Sequence, residues 1–285
     1  MRPILKIIPI LALSSILAAS CQNNKGKEMP STPPKAKKIE KELSIHGDTR
    51  IDPYYWLNKR EDPEVIAYLE QENVYYQAAT AHTKDFQQDL FEEMKSRIKE
   101  DDSSVPYKLN EYWYATRYEK GKEYPLYTRR AGSLDAEEEI MFDCNALAAD
   151  HEYFNLRGIS VSPDNTFAAF GTDTISRRQY HIQVKNLKTG EVYADKIDNT
   201  TGGSVWASDN KTLFYVRKDP ETLRSEKIYK HVLGTPTEQD ELVYHEKDET
   251  FNVYVYKSKS RDYIVIGSNS TMTSEYHILK ADNPN

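Results

Sequence analysis

The sequence predicts a mainly β fold, a partial β-propeller of three to four blades preceded by an N-terminal extension of two helices. Two observations favour this fold class. Hydrophobic residues recur at helical spacing before residue 106 and at every second position after it, and a unit of short strands then repeats along the chain. The 285 residues are 38% hydrophobic and 29% charged, which is enough apolar material for a folded core.

The first twenty residues predict a signal peptide (1–20). Arg2 and Lys6 are followed by an uncharged apolar run over 7–19, which is too short to span a bilayer comfortably. Small residues precede Cys21 as in a bacterial lipobox, so we expect lipid on the Cys21 thiol and a membrane anchor through that lipid. The protein would then lie on the periplasmic side of the bacterial cell envelope. Secretion into the periplasm and a retained membrane anchor are the alternatives.

Residues 21–45 are rich in Lys, Pro, Asn and Ser and predict a flexible tether that begins at the lipidated cysteine. An N-terminal helical extension is expected over 46–106. Asp62 is a suitable N-cap for a first helix that starts at Pro63, and Thr83 is the expected cap of a second helix. Four apolar residues of the second helix recur at every fourth position and are expected to form a core face: Phe86, Leu90, Met94 and Ile98.

The region 107–285 predicts the partial propeller. A hairpin is expected from Tyr112–Tyr118 and Tyr124–Arg129, and it counts as a degenerate first blade. Three clearer units follow, each with alternating apolar strands around a tight polar turn. The turns are expected at Asp164, Asp209 and Asp262, where a short polar side chain can bond to nearby backbone. Units that recur in this way are typical of propeller blades.

Charge and cysteine content argue against a nucleic-acid-binding protein and against a fold held together by disulfides. The net charge of −7 would repel phosphates, so no nucleic-acid partner is expected. The two cysteines are Cys21 and Cys144, and a lipidated Cys21 leaves Cys144 without a partner for a disulfide. Cys144 ends the apolar run 140–144, which predicts a small buried hydrophobic side chain and not a reactive thiol.

A search for self-sufficient chemistry gives no candidate. The sequence has no Gly-x-Ser-x-Gly turn, and its seven histidines include no His-x-x-x-His pair. His181, His231 and His277 are expected at comparable positions late in successive blades, with a structural role. The acidic run 100–102 is expected to be a solvated helix end, and Gly202-Gly203 lacks the lysine and helix of a phosphate-binding loop. We therefore expect no catalytic residue, no cofactor-binding residue, no metal ligand and no cofactor in these residues.

Several short motifs resemble one family. His46-Gly47-Asp48, together with Asp52 to Leu57, resembles the opening of the prolyl oligopeptidase family of serine peptidases. The oligopeptidase B (protease II) branch of that family is resembled by further motifs in the same order: Asp62 to Val65, Tyr68 to Asn73, Ile98 to Pro106, Tyr112 to Tyr114, Gly121 to Pro125, and Ser162 to Asp164. The resemblance extends from about His46 to the last residue.

The resemblance implies a helical extension, a seven-bladed propeller and a C-terminal α/β-hydrolase domain that carries a Ser–His–Asp triad. It further implies hydrolysis of short peptides after Arg or Lys, with the propeller acting as a substrate size filter. The hydrolase domain is expected to be absent from these residues, so this chain alone is expected to be inactive. It would meet short peptide substrates only with that domain, and a split enzyme with the hydrolase on a separate chain is a further alternative. The alternative is a non-catalytic envelope lipoprotein that binds a partner through a propeller surface.

Overall fold

The structure, a computed structural model, describes residues 32–284. The predicted signal peptide (1–20), the predicted lipidation site Cys21 and the first part of the predicted tether lie outside the described residues. The chain divides into two compact units, one that ends at Ile98 and one that begins at Lys99.

The first unit opens with a β-hairpin. Strand β1 (Lys41–Ile45) pairs antiparallel with β2 (Asp48–Asp52) around His46 and Gly47, whose φ angles of 54° and 81° form the tight turn. The tether predicted over 21–45 therefore extended too far, because its last five residues form a strand. Lys41 and Glu42 have low strand propensity, and the backbone pairing with β2 overrides it.

Two helices follow, as predicted. Helix α1 (Pro63–Thr80) has Asp62 as its N-cap, and the Asp62 carboxylate accepts a hydrogen bond from the Glu64 backbone N–H at 3.0 Å. A short 3-10 helix (Ala81–Thr83) leads into α2 (Lys84–Ser96). Thr83 occupies the predicted N-cap position of α2, but its side chain caps nothing because its hydroxyl donates to the Thr80 carbonyl at 2.8 Å.

The apolar stripe of α2 is exposed. Phe86, Leu90 and Met94 on α2 keep 66%, 41% and 54% of their surface accessible, and Ile98, which lies beyond the end of the helix, keeps 67%, so the prediction of a core face was wrong for this unit. Within residues 32–98, the buried hydrophobic side chains are those of Trp56 and Val65. The first unit thus has no sizeable core of its own for the stripe to join.

The second unit is built from antiparallel strands. One four-stranded sheet has the order β3-β4-β5-β6, a seven-stranded sheet runs from β7 to β13 in sequence order, and a three-stranded sheet has the order β14-β15-β16. The strands are β3 (Tyr107–Leu109), β4 (Tyr112–Arg117), β5 (Leu126–Ala131), β6 (Glu138–Asp143), β7 (Asn155–Val161), β8 (Phe167–Asp173), β9 (Tyr180–Asn186), β10 (Ile197–Trp206), β11 (Thr212–Lys218), β12 (Ser225–Val232), β13 (Glu241–His245), β14 (Asn252–Lys257), β15 (Tyr263–Asn269) and β16 (Ser274–Lys280). Helix α3 (Cys144–Ala148) and a 3-10 turn (Thr237–Gln239) interrupt them.

The second unit begins before the predicted boundary between residues 106 and 107. Residues 102–104 already pair with β4, because the Ser104 backbone N–H donates to the Thr116 carbonyl at 2.8 Å and Tyr118 donates to Asp102 at 2.7 Å. The acidic run 100–102 therefore leads directly into the first sheet.

Strand β10 joins two blades. Its first part pairs with β9 and its last part, Ser204 to Trp206, pairs with β11, with an irregularity of register between Thr200 and Ser204. Gly202 lies in this bend with φ of 86°, and a Cβ there would lie 2.8 Å from the Tyr180 ring. The seven-stranded sheet is thus two blades joined by one bent strand. Four blades result, which confirms the predicted partial propeller.

Each pair of neighbouring blades encloses one hydrophobic cluster. Strand β8 contributes Phe170 to the cluster between the first and second blades and Ala169 to the cluster between the second and third. Strand β11 does the same one blade later, with Tyr215 on one side and Phe214 on the other. Successive side chains of a strand point to opposite faces, so each central strand serves two interfaces.

The polar turns have the predicted local structure in two of three units. The Asp164 carboxylate accepts from the Ser162 hydroxyl at 2.6 Å, and Asp209 accepts from two backbone N–H groups at 2.9 Å. In the third unit Asp262 is not the counterpart. Ser258 takes the place of Ser162 there, because its hydroxyl accepts from the first N–H of the next strand at 3.2 Å, as the Ser162 hydroxyl does at 2.9 Å. The Ser-x-Asp pattern recurs at Ser260 and Asp262 in sequence, and this recurrence concealed the shift of register.

Candidate functional site

The inner strands of all four blades line one cavity of about 530 Å³. The first blade contributes Tyr107 and Leu109 from β3, and the second contributes residues 157–161 of β7. The ends of β10 and β14, at 205–206 and 255–257, complete the wall from the third and fourth blades.

Aromatic side chains form the wall on the side of the first blade. The rings of Tyr107 and Tyr114 are stacked with centroids 5.4 Å apart. The Tyr114 hydroxyl is buried and has no hydrogen-bond partner within the described residues. Burial raises the pKa of Tyr114, although the nearby Arg129 guanidinium opposes this shift.

Hydrogen bonds that cross from blade to blade hold the wall in place. The indole N–H of Trp206 donates to the Ser160 carbonyl at 2.7 Å and so links the third blade to the second. The Lys257 ammonium donates to the Trp206 carbonyl at 3.0 Å and links the fourth blade to the third. Trp206 is 1% exposed, which makes this chain of bonds part of the core.

Asparagine side chains join the turns of neighbouring blades. The Asn165 amide donates to the Asn110 carbonyl at 2.9 Å, and the Asn210 amide oxygen accepts from the Asp164 backbone N–H at 2.9 Å. Asn165 and Asn210 both have positive φ, 64° and 59°, a conformation that asparagine tolerates better than most residues. The turns therefore fix the angle at which consecutive inner strands meet the cavity.

The cavity wall is positively charged. The charged residues that line it are Arg157, Lys257 and Arg261, and no aspartate or glutamate is among its lining residues. Burial lowers the pKa of Lys257, and the Arg261 guanidinium lowers it further. The cavity thus favours anionic groups although the chain carries a net charge of −7.

Cys144 has the environment that the sequence predicted. It is 1% exposed in the cluster between the first and second blades, at the start of α3. Burial raises the pKa of its thiol to about 12, so the thiolate is scarce at neutral pH. The predicted lipidation site Cys21 lies outside the described residues.

The three histidines predicted to be equivalent differ in their surroundings. His181 is half-buried on β9, His277 is exposed on β16, and His231 on β12 is fully buried. The His231 ring lies between two carboxylates, with Nδ1 2.7 Å from Asp240 and Nε2 3.2 Å from Asp195. Burial lowers the pKa of His231, but its hydrogen bonds to Asp240 and Asp195 outweigh burial and raise it above the ordinary value. The sequence carried no signal for this arrangement, because the partners come from separate loops.

The described residues bring together neither a catalytic triad nor a metal site. No serine or cysteine side chain in residues 32–284 is hydrogen-bonded to a histidine, and His231 is occupied by two carboxylates. The same residues contain no group of three or more His, Cys, Asp or Glu side chains that could hold a metal ion. No helix in this part of the chain is long and apolar enough to cross a membrane. What the arrangement offers is a walled cavity with basic and aromatic lining.

Comparison with known proteins finds a matching family profile and several related peptidases. The sequence profile described as "Prolyl oligopeptidase, N-terminal beta-propeller domain" matches residues 33–285. The chain is 42% identical to dipeptidyl aminopeptidase BI of Pseudoxanthomonas mexicana, over 95% of this chain and 39% of that protein. It is 35% identical to protease 2 of Moraxella lacunata, over 88% of this chain and 37% of that protein.

Solved structures of oligopeptidase B superpose well on this chain. Oligopeptidase B from Leishmania major superposes with a TM-score of 0.83 at 33% identity, over 90% of this chain and 38% of that one. Oligopeptidase B from Trypanosoma brucei, solved in a closed form with covalently bound antipain, gives a TM-score of 0.79 at 30% identity, over 88% of this chain and 38% of that one. The chain spans about two fifths of the length of the relatives it matches. The propeller blades, the motifs of the N-terminal extension and these matches together show that the chain belongs to the prolyl oligopeptidase family, in its oligopeptidase B branch.

Proposed function

We propose that this chain supplies the helical extension and propeller blades of a peptidase that hydrolyses short peptides after Arg or Lys. In this role the blades act as a substrate size filter. The observation that supports the proposal is the cavity of about 530 Å³ lined by strands of all four blades. A cavity of this size suits a short peptide segment and excludes a folded domain.

The 285 residues are proposed to be inactive by themselves. Hydrolysis of an amide by a serine peptidase requires an activated hydroxyl, a histidine base and donors for the developing oxyanion. The sequence has no Gly-x-Ser-x-Gly turn to present such a serine. The contribution of these residues would then be to select and position peptides for a hydrolase domain.

The charge of the wall bears on where a preference for Arg or Lys would arise. An arginine or lysine side chain is attracted by carboxylates, and the residues that line the cavity include none. Arg157, Lys257 and Arg261 would repel a basic side chain of the substrate. The proposed specificity would accordingly reside with the catalytic residues of the hydrolase domain.

Removal of dipeptides from the amino end of a peptide is a second candidate activity. The relative from Pseudoxanthomonas mexicana, at 42% identity, is named a dipeptidyl aminopeptidase. The two activities differ in whether the substrate needs a free α-amino group two residues before the cut. Reporter peptides with free and with acetylated amino ends therefore distinguish them.

A chimera tests the proposal. Residues 33–285 replace the matching segment of the Pseudoxanthomonas mexicana relative, and cleavage of Arg-, Lys- and Ala-linked reporters and of a folded protein is measured. We expect cleavage of short reporters with the residue preference of the relative's own hydrolase domain, no cleavage of the folded protein, and no cleavage by the 285-residue chain alone. Turnover by the isolated chain that disappears when one of its own serines is changed would overturn the proposal.

The cellular location is proposed to be the periplasmic side of the cell envelope, through lipid on Cys21. Labelling of cells with an alkyne-bearing fatty acid should mark the wild-type protein and leave Cys21→Ser unmarked. Release of unlabelled wild-type protein into the periplasm would support plain secretion instead.

A non-catalytic envelope lipoprotein remains the alternative function. The exposed aromatic and aliphatic residues of the last sheet support it, since a wet apolar face suits a partner. Tyr254, Tyr256, Tyr276 and Ile278 keep 37%, 43%, 53% and 65% of their surface accessible. A chimera that folds and cleaves no reporter would favour this alternative.

A further inference from the structure

We propose that a second cavity, between the second and third blades, binds the carboxylate of a peptide through Arg157, Arg178 and Lys218. The cavity has a volume of about 310 Å³. Its polar lining also includes Tyr180, Thr201 and Thr222. The inference deepens the proposed function and rests on it, because it assigns a ligand group to a cavity beside the main cavity of about 530 Å³.

The three basic residues reach the cavity from separate elements. Arg157 lies on β7, Arg178 lies in the loop between β8 and β9, and Lys218 is the last residue of β11. The Arg157 guanidinium stands over the Tyr180 ring, 5.3 Å from its centroid, so its position is defined by the bend of β10 that holds the ring. The Lys218 ammonium donates to the Arg178 carbonyl, which ties the loop to the third blade.

The three cations of the cavity form no ion pair within the described residues. No carboxylate in residues 32–284 lies within 4.0 Å of the Arg157, Arg178 or Lys218 charged groups. Lys218 is only 8% exposed, whereas Arg157 and Arg178 are exposed, and a buried ammonium without an ion pair is unusual. Burial lowers the pKa of Lys218, the charges of Arg178 and Arg157 lower it further, and the Asp173 carboxylate partly offsets them. A bound anion would add to this offset and favour the charged ammonium.

The nearest acidic residues are committed to their own loops. Asp173 is fully buried, and its two oxygens accept from the Ile175 and Arg178 backbone N–H groups at 2.9 and 2.7 Å. The Asp219 Oδ1 atom accepts from the Thr222 backbone N–H at 2.7 Å and its hydroxyl at 2.9 Å. These carboxylates shape the two loops and leave the face toward the cavity to the cations.

The neighbourhood of the cavity favours a peptide as the source of the carboxylate. Arg157 also lines the main cavity, and Thr201 also lines a third cavity of about 430 Å³. That third cavity contains the Ser204 hydroxyl, which is buried without a hydrogen-bond partner within the described residues. A short extended peptide in the main cavity would place its polar backbone near Ser204 and its carboxylate near the three basic residues of the second cavity. Two guanidinium groups and an ammonium match the geometry of a carboxylate.

Calorimetric titration of the purified 285-residue chain tests the inference. The probes are N-acetyl-tetraalanine with a free carboxyl end, the same peptide as its C-terminal amide, and an amide of the same length with one internal glutamate. We expect the free acid to bind about tenfold or more tightly than the amide, as a charge-assisted hydrogen bond should provide. Tighter binding of the glutamate peptide than of the acid would support the carboxylate site and identify a side chain as the ligand.

Charge-removing variants locate the site. Arg157→Gln and Arg178→Gln should each abolish the preference for the acid over the amide, whereas Arg177→Gln, an exposed neighbour that does not line the cavity, should keep it. Lys218→Met should also remove the preference, with its fold checked by circular dichroism. Equal binding of acid and amide, or equal effects of the Arg177 and Arg178 variants, would overturn the inference. Binding is measured without cleavage, so failure here is distinct from failure of the chimera to hydrolyse reporters.

Discussion

Replacement of Trp206 by phenylalanine should weaken the interface between the second and third blades and lower the free energy of unfolding. The indole N–H of Trp206 donates to the Ser160 carbonyl at 2.7 Å, and the side chain is 1% exposed against the Phe167 ring. Phenylalanine leaves that carbonyl without its donor, which costs about 1–3 kcal/mol, and the smaller ring leaves a void with a further cost. We expect the free energy of unfolding to fall by about 2–4 kcal/mol.

Trp113 provides a matched control for this substitution. Its indole N–H donates to the Gly132 carbonyl at 3.3 Å, and its side chain is only half-buried on the first blade. Trp113→Phe should therefore cost about 1 kcal/mol or less. Urea unfolding followed by far-ultraviolet circular dichroism measures both variants with the same probe. If the two substitutions cost the same within about 0.5 kcal/mol, the bond from Trp206 to Ser160 does not stabilise the interface between the second and third blades.

Three further predictions follow from single residues. The raised pKa of His231, held by Asp240 and Asp195, gives stability that is fully present below pH of about 6.5 and lost as pH rises through the folded-state pKa. His231→Gln should therefore flatten the fall in urea midpoint between acidic and basic pH, and an unchanged profile would contradict the assignment. In a Cys21→Ser background, Cys144, with its buried thiol of pKa about 12, should react with a disulfide reagent at neutral pH only after urea unfolds the chain, and rapid reaction of the folded variant would show that the cluster opens. Asn165→Ala should lower the unfolding free energy by about 2 kcal/mol, because it combines a positive φ of 64° with loss of a bond between blades, and Asn165→Gly should cost about half as much. Equal costs for the two Asn165 variants would show that the backbone conformation contributes nothing.

Local patterns predicted the elements well. The Asp62-Pro63 pair marks the start of α1, and a capping side chain and a proline act within one turn of the helix they begin. The strands around Asp164 and Asp209 were predicted from alternation and turn chemistry, which also act over a few residues. The third turn was misplaced at Asp262 because spacing alone cannot show which serine accepts the bond of the next strand.

The α2 stripe shows the limit of such patterns. Periodicity at Phe86 and Ile98 predicted a face that packs against something, and it carried no information about what is available to cover it. Burial depends on the neighbours of a helix in three dimensions. The first unit buries Trp56 and Val65 among residues 32–98 and has too small a core to receive the stripe.

The sequence by itself determined the mainly β fold, the two helices, the repeat of blades, the buried Cys144 and the family. Each depends on residues close together in the chain or on the order of short motifs. Only the tertiary structure decided that Arg157, Arg178 and Lys218 line one cavity and that His231 lies between Asp195 and Asp240. The physical reason is that stacking of blades brings together loops and strand ends far apart in sequence, and no local propensity encodes which charges then face one another.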